Sequence, residues 1–329
     1  MNKKTLNIVW WNANNLFHFD SKKKGKNRWP ANEDYYKAKC QRVDDAISEI
    51  RKQYQKIDIL CLCEITKKAA EELRDRLFPG FGVISLDVKS DEPTLQVAMI
   101  FPPDSDYVKY QEQLPIVVPN VPSGTRPMAV LEIMIGKHRL RVIACHWQAR
   151  IDEDGSDRGR FRSADFLSTY SFDFISQDQD FHDIVIVGDL NEEPYEPNLG
   201  VLNAHRHRGR SLKKFHWTDH NVKRVHLYNS SWRLLGEKHP ITSPEILHGS
   251  EHSAGTYYWE AKHTWHHFDH AIVSGGLLRD KIPFLDEGEA CILSLPSLLT
   301  EGFPIKFSCE NGKYSGLSDH LPIFLKINI

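Results

Sequence analysis

The sequence predicts an α/β protein with a mixed sheet, on three observations. Short apolar runs rich in β-branched residues recur along the 329 residues, amphipathic helical stripes separate several of them, and one connection is tight enough for a hairpin. Strands are expected at Leu6–Trp11, Ile57–Cys63, Val97–Phe101, Ala129–Ile135, Leu140–Cys145, Ile184–Val187, Ala271–Val273 and Pro322–Ile329. Gly136-Lys137-His138 joins two of these, so part of the sheet must be antiparallel.

Helices are expected between other strands. From Tyr35 to Tyr54, Tyr36, Cys40, Val43, Ile47, Ile50 and Tyr54 fall three or four apart and form one buried stripe. Thr66 suits the N-cap of a second helix with Leu73 and Leu77 inward. A third runs from about Phe161 to Ile175, aligning Ala164, Leu167, Tyr170 and Phe174. Tyr195 to Glu260 is the least regular stretch. With no Pro/Gly/Ser linker and no repeat, residues 1–329 are expected to form a single domain.

Composition narrows the class. Hydrophobic residues at 40% and charged residues at 26% fit a soluble globular chain. No apolar run reaches the length of a membrane span, and Met1 to Trp11 has no signal-peptide pattern, so a cytoplasmic location is expected. None of the six cysteines forms a CxxC pair, and Cys61, Cys63 and Cys145 lie in strand-like runs as buried thiols. A net charge of −2 argues against a globally basic nucleic-acid binder, although residues 205–224 are locally very basic and could face phosphate. A solvated loop is the commoner fate of such a run.

Polar residues gather where the apolar runs end. Asn12 and Asn14 follow the first, Glu64 ends the second, His146 another, and Asp189 and Asn191 end IVIVGDLNEEP. Asp269 precedes a strand in HHFDHAIVS, and Asp319 and His320 precede the last in LSDHLPIF. Strand ends converge in open α/β sheets. Carboxylates crowded there repel one another unless a cation sits among them, and carboxylate with amide oxygen suits Mg²⁺, with Mn²⁺ as a substitute. Histidines nearby suit proton transfer. Any one of these motifs alone is weak, and GDLN could be only an Asx-turn.

With GDLN at 188–191, SDH at 318–320, WNAN at 11–14 and Glu64, the chain resembles the endonuclease/exonuclease/phosphatase superfamily, the deoxyribonuclease I-like fold. The resemblance implies a four-layered αββα sandwich, two packed mixed sheets flanked by helices. It makes Glu64, Asn14 and Asp319 the metal site, the last often through water. It makes Asn12 and Asn191 the amides that hold phosphate and attacking water, Asp189 the carboxylate that positions or deprotonates the nucleophile, and Asp269 the partner that orients His320. His146 falls where phosphate oxygens or the leaving group are stabilised, and Arg126 where an arginine supports the site.

The activity so implied is metal-dependent attack of water on a phosphate ester. A nuclease acting on DNA or RNA is favoured by the basic segment and by Tyr257-Tyr258-Trp259 with Trp265, whose bland reading is ordinary packing. The alternatives are a phosphatase or phospholipase-type enzyme and a non-catalytic binding protein. His263, His266, His267 and His270 crowd around Asp269, more as a loop cluster than as a second metal site. Oligomeric state is not legible.

Overall fold

The computed structural model describes residues 4–20, 32–86, 96–106, 108–119, 126–150, 153–211, 216–217, 223–235 and 254–329. Two seven-stranded mixed sheets pack face to face, and helices cover both outer faces. In chain order the first strands are β1 (Thr5–Leu16), β2 (Ile59–Ile65), β3 (Gly82–Ser85), β4 (Gln96–Phe101), β5 (Val108–Glu112), β6 (Ala129–Ile135), β7 (His138–His146) and β8 (His182–Asp189). One sheet runs Phe284–Leu285, Ile323–Asn328, β1, β2, β4, β3, with Cys291–Ile292 also paired to Ile323–Asn328. The other runs β5, β6, β7, β8, Asp269–Ser274, Leu227–Asn229, Ala204–His205.

Alternation along the strands builds the layers. In β1, Leu6, Ile8 and Trp10 face the other sheet, whereas Val9, Trp11 and Ala13 face the helices. In β2, Ile59, Cys61 and Cys63 point between the sheets, and Leu60 and Leu62 point out. Continuous apolar runs are what a strand covered on both faces requires. The β6–β7 hairpin turns at Gly136, whose φ of +61° is the left-handed conformation that glycine adopts without penalty.

Helices α1 (Glu33–Tyr54) and α2 (Lys67–Leu77) cover the first sheet; α3 (Glu153–Gln177) and α4 (Pro197–Val201) cover the second. The expected α1 stripe is buried except Tyr54, which is partly buried and stacks on Phe324. Asn32 caps α1 by accepting from the Tyr35 amide, 2.8 Å. Thr66 does precede α2, but its hydroxyl makes no cap; it accepts from the His18 amide at 3.0 Å. Leu73 is buried there, and Leu77 only partly. α3 starts well before Phe161, because its first turns are polar and carry no apolar period to read.

Cys40, Cys61, Cys63 and Cys145 are buried free thiols. Among the described residues, no helix is long and apolar enough to cross a membrane.

Candidate active site

Three strand ends of the second sheet lie side by side. His146, at the end of β7, pairs in parallel register with Asp189 at the end of β8, and Asp269 pairs with Asp189 from the other side. Gly188 permits this spacing: a Cβ there would sit 2.4 Å from the Cys145 carbonyl oxygen and 2.7 Å from its sulfur. Any larger residue would therefore force β7 and β8 apart at the rim.

The first sheet reaches the same rim through two bulges. Register breaks between Asn12 and Leu16 in β1, and between Cys63 and Ile65 in β2. Asn12 and Asn14 thus lie within a long, bulged β1 rather than after a short strand. Asn14, Asn15 and Glu64 take φ of 46°, 59° and 56°, and Asn191 takes 51°. Such conformations are costly without glycine and persist where surrounding contacts over-determine them. Here the contacts are visible. The Asn14 amide donates to Asn12 Oδ1 (2.9 Å), the Asn15 amide to Glu64 Oε2 (3.0 Å), and the Asn191 amide to Asp189 Oδ1 (3.0 Å).

The side chains converge on one cavity of about 380 Å³. Asn12 Nδ2 donates to Asp189 Oδ2 at 3.0 Å. The same carboxylate oxygen stands 3.7 Å from His146 Nε2 and 3.7 Å from His320 Nε2. His320 Nδ1 donates to Asp269 Oδ2 (2.8 Å), and Trp10 Nε1 donates to Asp269 Oδ1 (2.7 Å). Trp10 of one sheet thereby fixes a carboxylate of the other. Trp10→Phe should cost about 1–3 kcal/mol, because Asp269 Oδ1 would lose its buried donor. Denaturant midpoints of the two proteins measure this, and equal midpoints would rule it out.

Electrostatics divides the titratable groups. Burial pulls His320 down, but Asp269 and Asp189 outweigh it and raise the imidazole to about 10. His146 is held well below its ordinary value by burial, then by Arg126 and His320, so it stays neutral. Its Nδ1 has no hydrogen-bond partner among the described residues. Burial pushes Asp189 upward against the opposing pull of His320.

Oxygen donors for a cation collect at the first sheet's side of the cavity. Glu64 Oε2 is engaged by a backbone amide, whereas Oε1 faces His146 Nε2 only at 3.9 Å. Asn14 donates through Nδ2 to Asp319 Oδ1 (2.6 Å), leaving its own Oδ1 available, and Asp319 Oδ2 pairs with Lys306 at 3.2 Å. All-oxygen donors at a partly open carboxylate fit a hard divalent ion that keeps several waters. Asp189, Asp269 and His320 also bring ligand atoms within 4.8 Å of one another. Both Asp269 oxygens there are taken by donors, so this trio is a hydrogen-bond chain rather than a seat for an ion.

Nine of the ten residues singled out from the sequence meet here: Asn12, Asn14, Glu64, His146, Asp189, Asn191, Asp319 and His320 line the cavity, and Asp269 lies directly behind His320. Arg126 stands back, outside the lining, although its charge reaches His146. Sequence reasoning missed Lys39, a buried α1 lysine whose ammonium donates to the Asn14 carbonyl and lies near Glu64 and Asp319. It missed Arg150 too, whose Nε donates to the Asn191 carbonyl (2.7 Å) and whose other end bonds Glu196. The one signal for Lys39 was its place three residues after Tyr36 and four before Val43, on the buried face of α1.

The basic segment is described only in part. Of its described side chains, Arg208 bonds the Leu278 carbonyl and Glu287, and Arg224 pairs with Asp165 at 2.7 Å. Ala204–His205 pairs with Leu227–Tyr228, which sits at the Ser274 end of its neighbour, opposite the Asp269 end that reaches the cavity. Residues 212–215 and 218–222 lie outside the described residues. The histidines also disperse: His263 bonds the Tyr258 hydroxyl, His266 bonds Glu193, and His270 bonds the Glu192 carbonyl and Asn229. They share no metal site among the described residues.

Residues 11–329 match the model of the Endonuclease/Exonuclease/phosphatase family. Among solved structures, a humanised TDP2 of D. rerio is similar at a TM-score of 0.57 and 13% identity, covering 99% of both chains. D. rerio TDP2 complexed with single strand DNA product is similar at 0.56 and 13%, again over 99% of both. A Bacteroides thetaiotaomicron mannosyl-6-phosphatase is similar at 0.58 and 14%, over 98% of this chain and 100% of that one. These likenesses establish the shared fold. The curated proteins contain no match to the sequence.

Proposed function

The chain belongs to the endonuclease/exonuclease/phosphatase family, whose members are typically divalent-metal-dependent phosphoesterases, and from that premise we propose a Mg²⁺-dependent phosphodiesterase that cleaves DNA or RNA. Residues 1–329 then act as one catalytic unit. The observation that carries the reading is the position of Asp189 Oδ2, ringed by Asn12 Nδ2, His146 Nε2 and His320 Nε2 within 3.7 Å.

Asp189 takes the proton from the attacking water in this reading, because it lines the cavity whereas Asp269 lies behind His320, outside the lining. His320, kept cationic by Asp269, donates through Nε2 to a phosphoryl oxygen. Asn12 and Asn191 each spend one amide hydrogen on a protein acceptor and retain one for substrate oxygen. Neutral His146 supports the same oxygens. Glu64 and Asn14 would hold the metal, with Asp319 behind them, and the ion would neutralise charge on phosphoryl and leaving oxygens.

The nuclease reading draws support from the aromatic wall of the cavity and from a similar protein that is complexed with single strand DNA product. The name of the Bacteroides phosphatase supplies the competing substrate, a sugar phosphate. A panel of single- and double-stranded DNA, RNA, mannose 6-phosphate and an inositol phosphate, with Mg²⁺, with Mn²⁺ and with chelator, separates them. Metal-dependent cleavage of nucleic acid, absent from Asp189→Asn, is expected. Turnover of monoesters alone would replace the reading with a phosphatase.

A further inference from the structure

We infer that His270, its tautomer set by Asn229, is a positioning residue that holds the Asp189–Asn191 turn in its working conformation. The inference deepens the phosphodiesterase reading and rests on it for its effect on rate.

Strand alternation gives one strand end two tasks. Asp269 points toward Trp10 and His320, so its neighbour His270 points to the opposite face, under the loop that follows β8. His270 and Asn229 are both fully buried. His270 Nε2 lies 2.7 Å from the Glu192 carbonyl oxygen, and Nδ1 lies 3.0 Å from Asn229 Nδ2.

The hydrogens on this chain of contacts follow from its far end. The Ser231 amide donates to Asn229 Oδ1 at 3.0 Å, so the Asn229 nitrogen must face the imidazole. That NH2 group only donates, which makes Nδ1 an acceptor and leaves the proton on Nε2. A carbonyl only accepts, so the Glu192 end requires the same tautomer. The two ends agree. The Asn229 end is itself tied down: Ser231 Oγ accepts from the Ala271 amide (3.3 Å), and Ser230 Oγ donates to the Ala271 carbonyl (2.8 Å).

The turn needs such a hold, because Asn191 takes φ of 51° and aims its amide into the cavity. Arg150 Nε takes the Asn191 carbonyl, His270 takes the next carbonyl, and Arg160 and Asn198 take the Glu192 side chain. Glu192 is buried, so a carbonyl deprived of His270 is left unpaired and the turn gains by moving. The charged groups facing the ring are Asp269 on its own strand and Glu192 and Glu196 of the loop, with Arg160 paired to Glu192. The His267 ring lies 5.7 Å away and is held neutral by burial. Burial outweighs the carboxylates at His270 too and lowers it to about 4, so the ring works uncharged.

Three variants test this. His270→Phe fills the space without a donor, His270→Gln returns an amide nitrogen near the Nε2 position, and Asn229→Asp turns the donor to Nδ1 into an acceptor. Turnover of bis(p-nitrophenyl) phosphate is followed with Mg²⁺ across pH. His270→Phe should lower kcat about 10- to 100-fold, the range of groups that orient a functional ligand, with KM little changed. His270→Gln should recover part of the loss. In Asn229→Asp the ring must be charged to donate from both nitrogens. Deprotonation leaves the remaining proton with the new carboxylate and a bare Nε2 against the Glu192 carbonyl, so kcat relative to wild type should fall as pH rises. Two readouts need no substrate. Imidazole ¹⁵N spectra, assigned by the resonance missing from His270→Gln, should show the Nε2–H tautomer in the wild type. The Asn191 amide should exchange hydrogen faster in His270→Phe while the β8 amides stay protected. An Nδ1–H tautomer, an unchanged kcat in folded His270→Phe, or a pH-independent ratio in Asn229→Asp would overturn the inference. The expected tautomer and exchange in a protein that turns over no phosphodiester would keep the positioning role and sink the phosphodiesterase reading instead.

Discussion

His320→Gln is expected to lower turnover by about 10²–10⁴-fold while the protein stays folded. Glutamine fills similar space and can still meet Asp269, but it carries no charge and no transferable proton. Asp269→Asn should act in the same direction through His320, because the neutral amide no longer holds a cation beside Asp189. A charge-dependent role also has a signature apart from rate. The folded imidazole is raised to about 10 from an ordinary 6.5, so its contribution to stability is fully present below about pH 6.5. That contribution is lost as pH rises through 10. Melting of the metal-free protein should therefore fall over this window, on the order of a few kcal/mol in total, and His320→Gln should flatten the fall. Near-wild-type turnover in His320→Gln, or an identical pH–stability curve, would remove the histidine from its assigned role.

How much of this was readable from the chain depends on what kind of contact each residue makes. Strands written as continuous apolar runs, such as Ile184–Val187, and the α1 stripe announce themselves, because burial on both faces or on one leaves a period in the sequence. The convergence of Glu64, Asp189 and His320 was legible for a related reason: each interrupts an apolar run at its end, where side chains from both sheets share a rim. The bulges were not legible, since a register break in β1 or β2 has no glycine to mark it and uses asparagine and glutamate at positive φ. Lys39 was hidden inside a helical stripe, and its partner, a backbone carbonyl 25 residues away, leaves no trace in spacing. The basic stretch gave no direction, because charge density does not say where a side chain points; of its described arginines Arg208 and Arg224 are committed to Glu287 and Asp165, whereas Arg206 is exposed and lies over Trp232. The four-layered arrangement came from motif resemblance, since alternation alone cannot distinguish one two-faced sheet from two.

Glu64→Gln is the second large effect expected, on the order of 10²–10³-fold in turnover, together with loss of the metal-dependent rise in melting temperature. Glu64 is the one carboxylate of the cavity's first-sheet side with an oxygen not already claimed by a protein donor. Asp319 has both oxygens claimed, by Asn14 and Lys306, and buried Lys39 adds a further positive charge beside the pair. Two cations built into so small a cluster reduce its attraction for a second ion, so the donor set is suited to one metal. Asp319→Asn should accordingly cost less than Glu64→Gln, acting chiefly through the Asn14 turn, in the 10- to 100-fold range of groups that orient a ligand. Calorimetric titration with Mn²⁺ reads both variants without relying on activity. A stoichiometry near one that Glu64→Gln abolishes, and Asp319→Asn only weakens, is the expected pattern; equal effects, or two tightly bound ions, would move the metal away from Glu64.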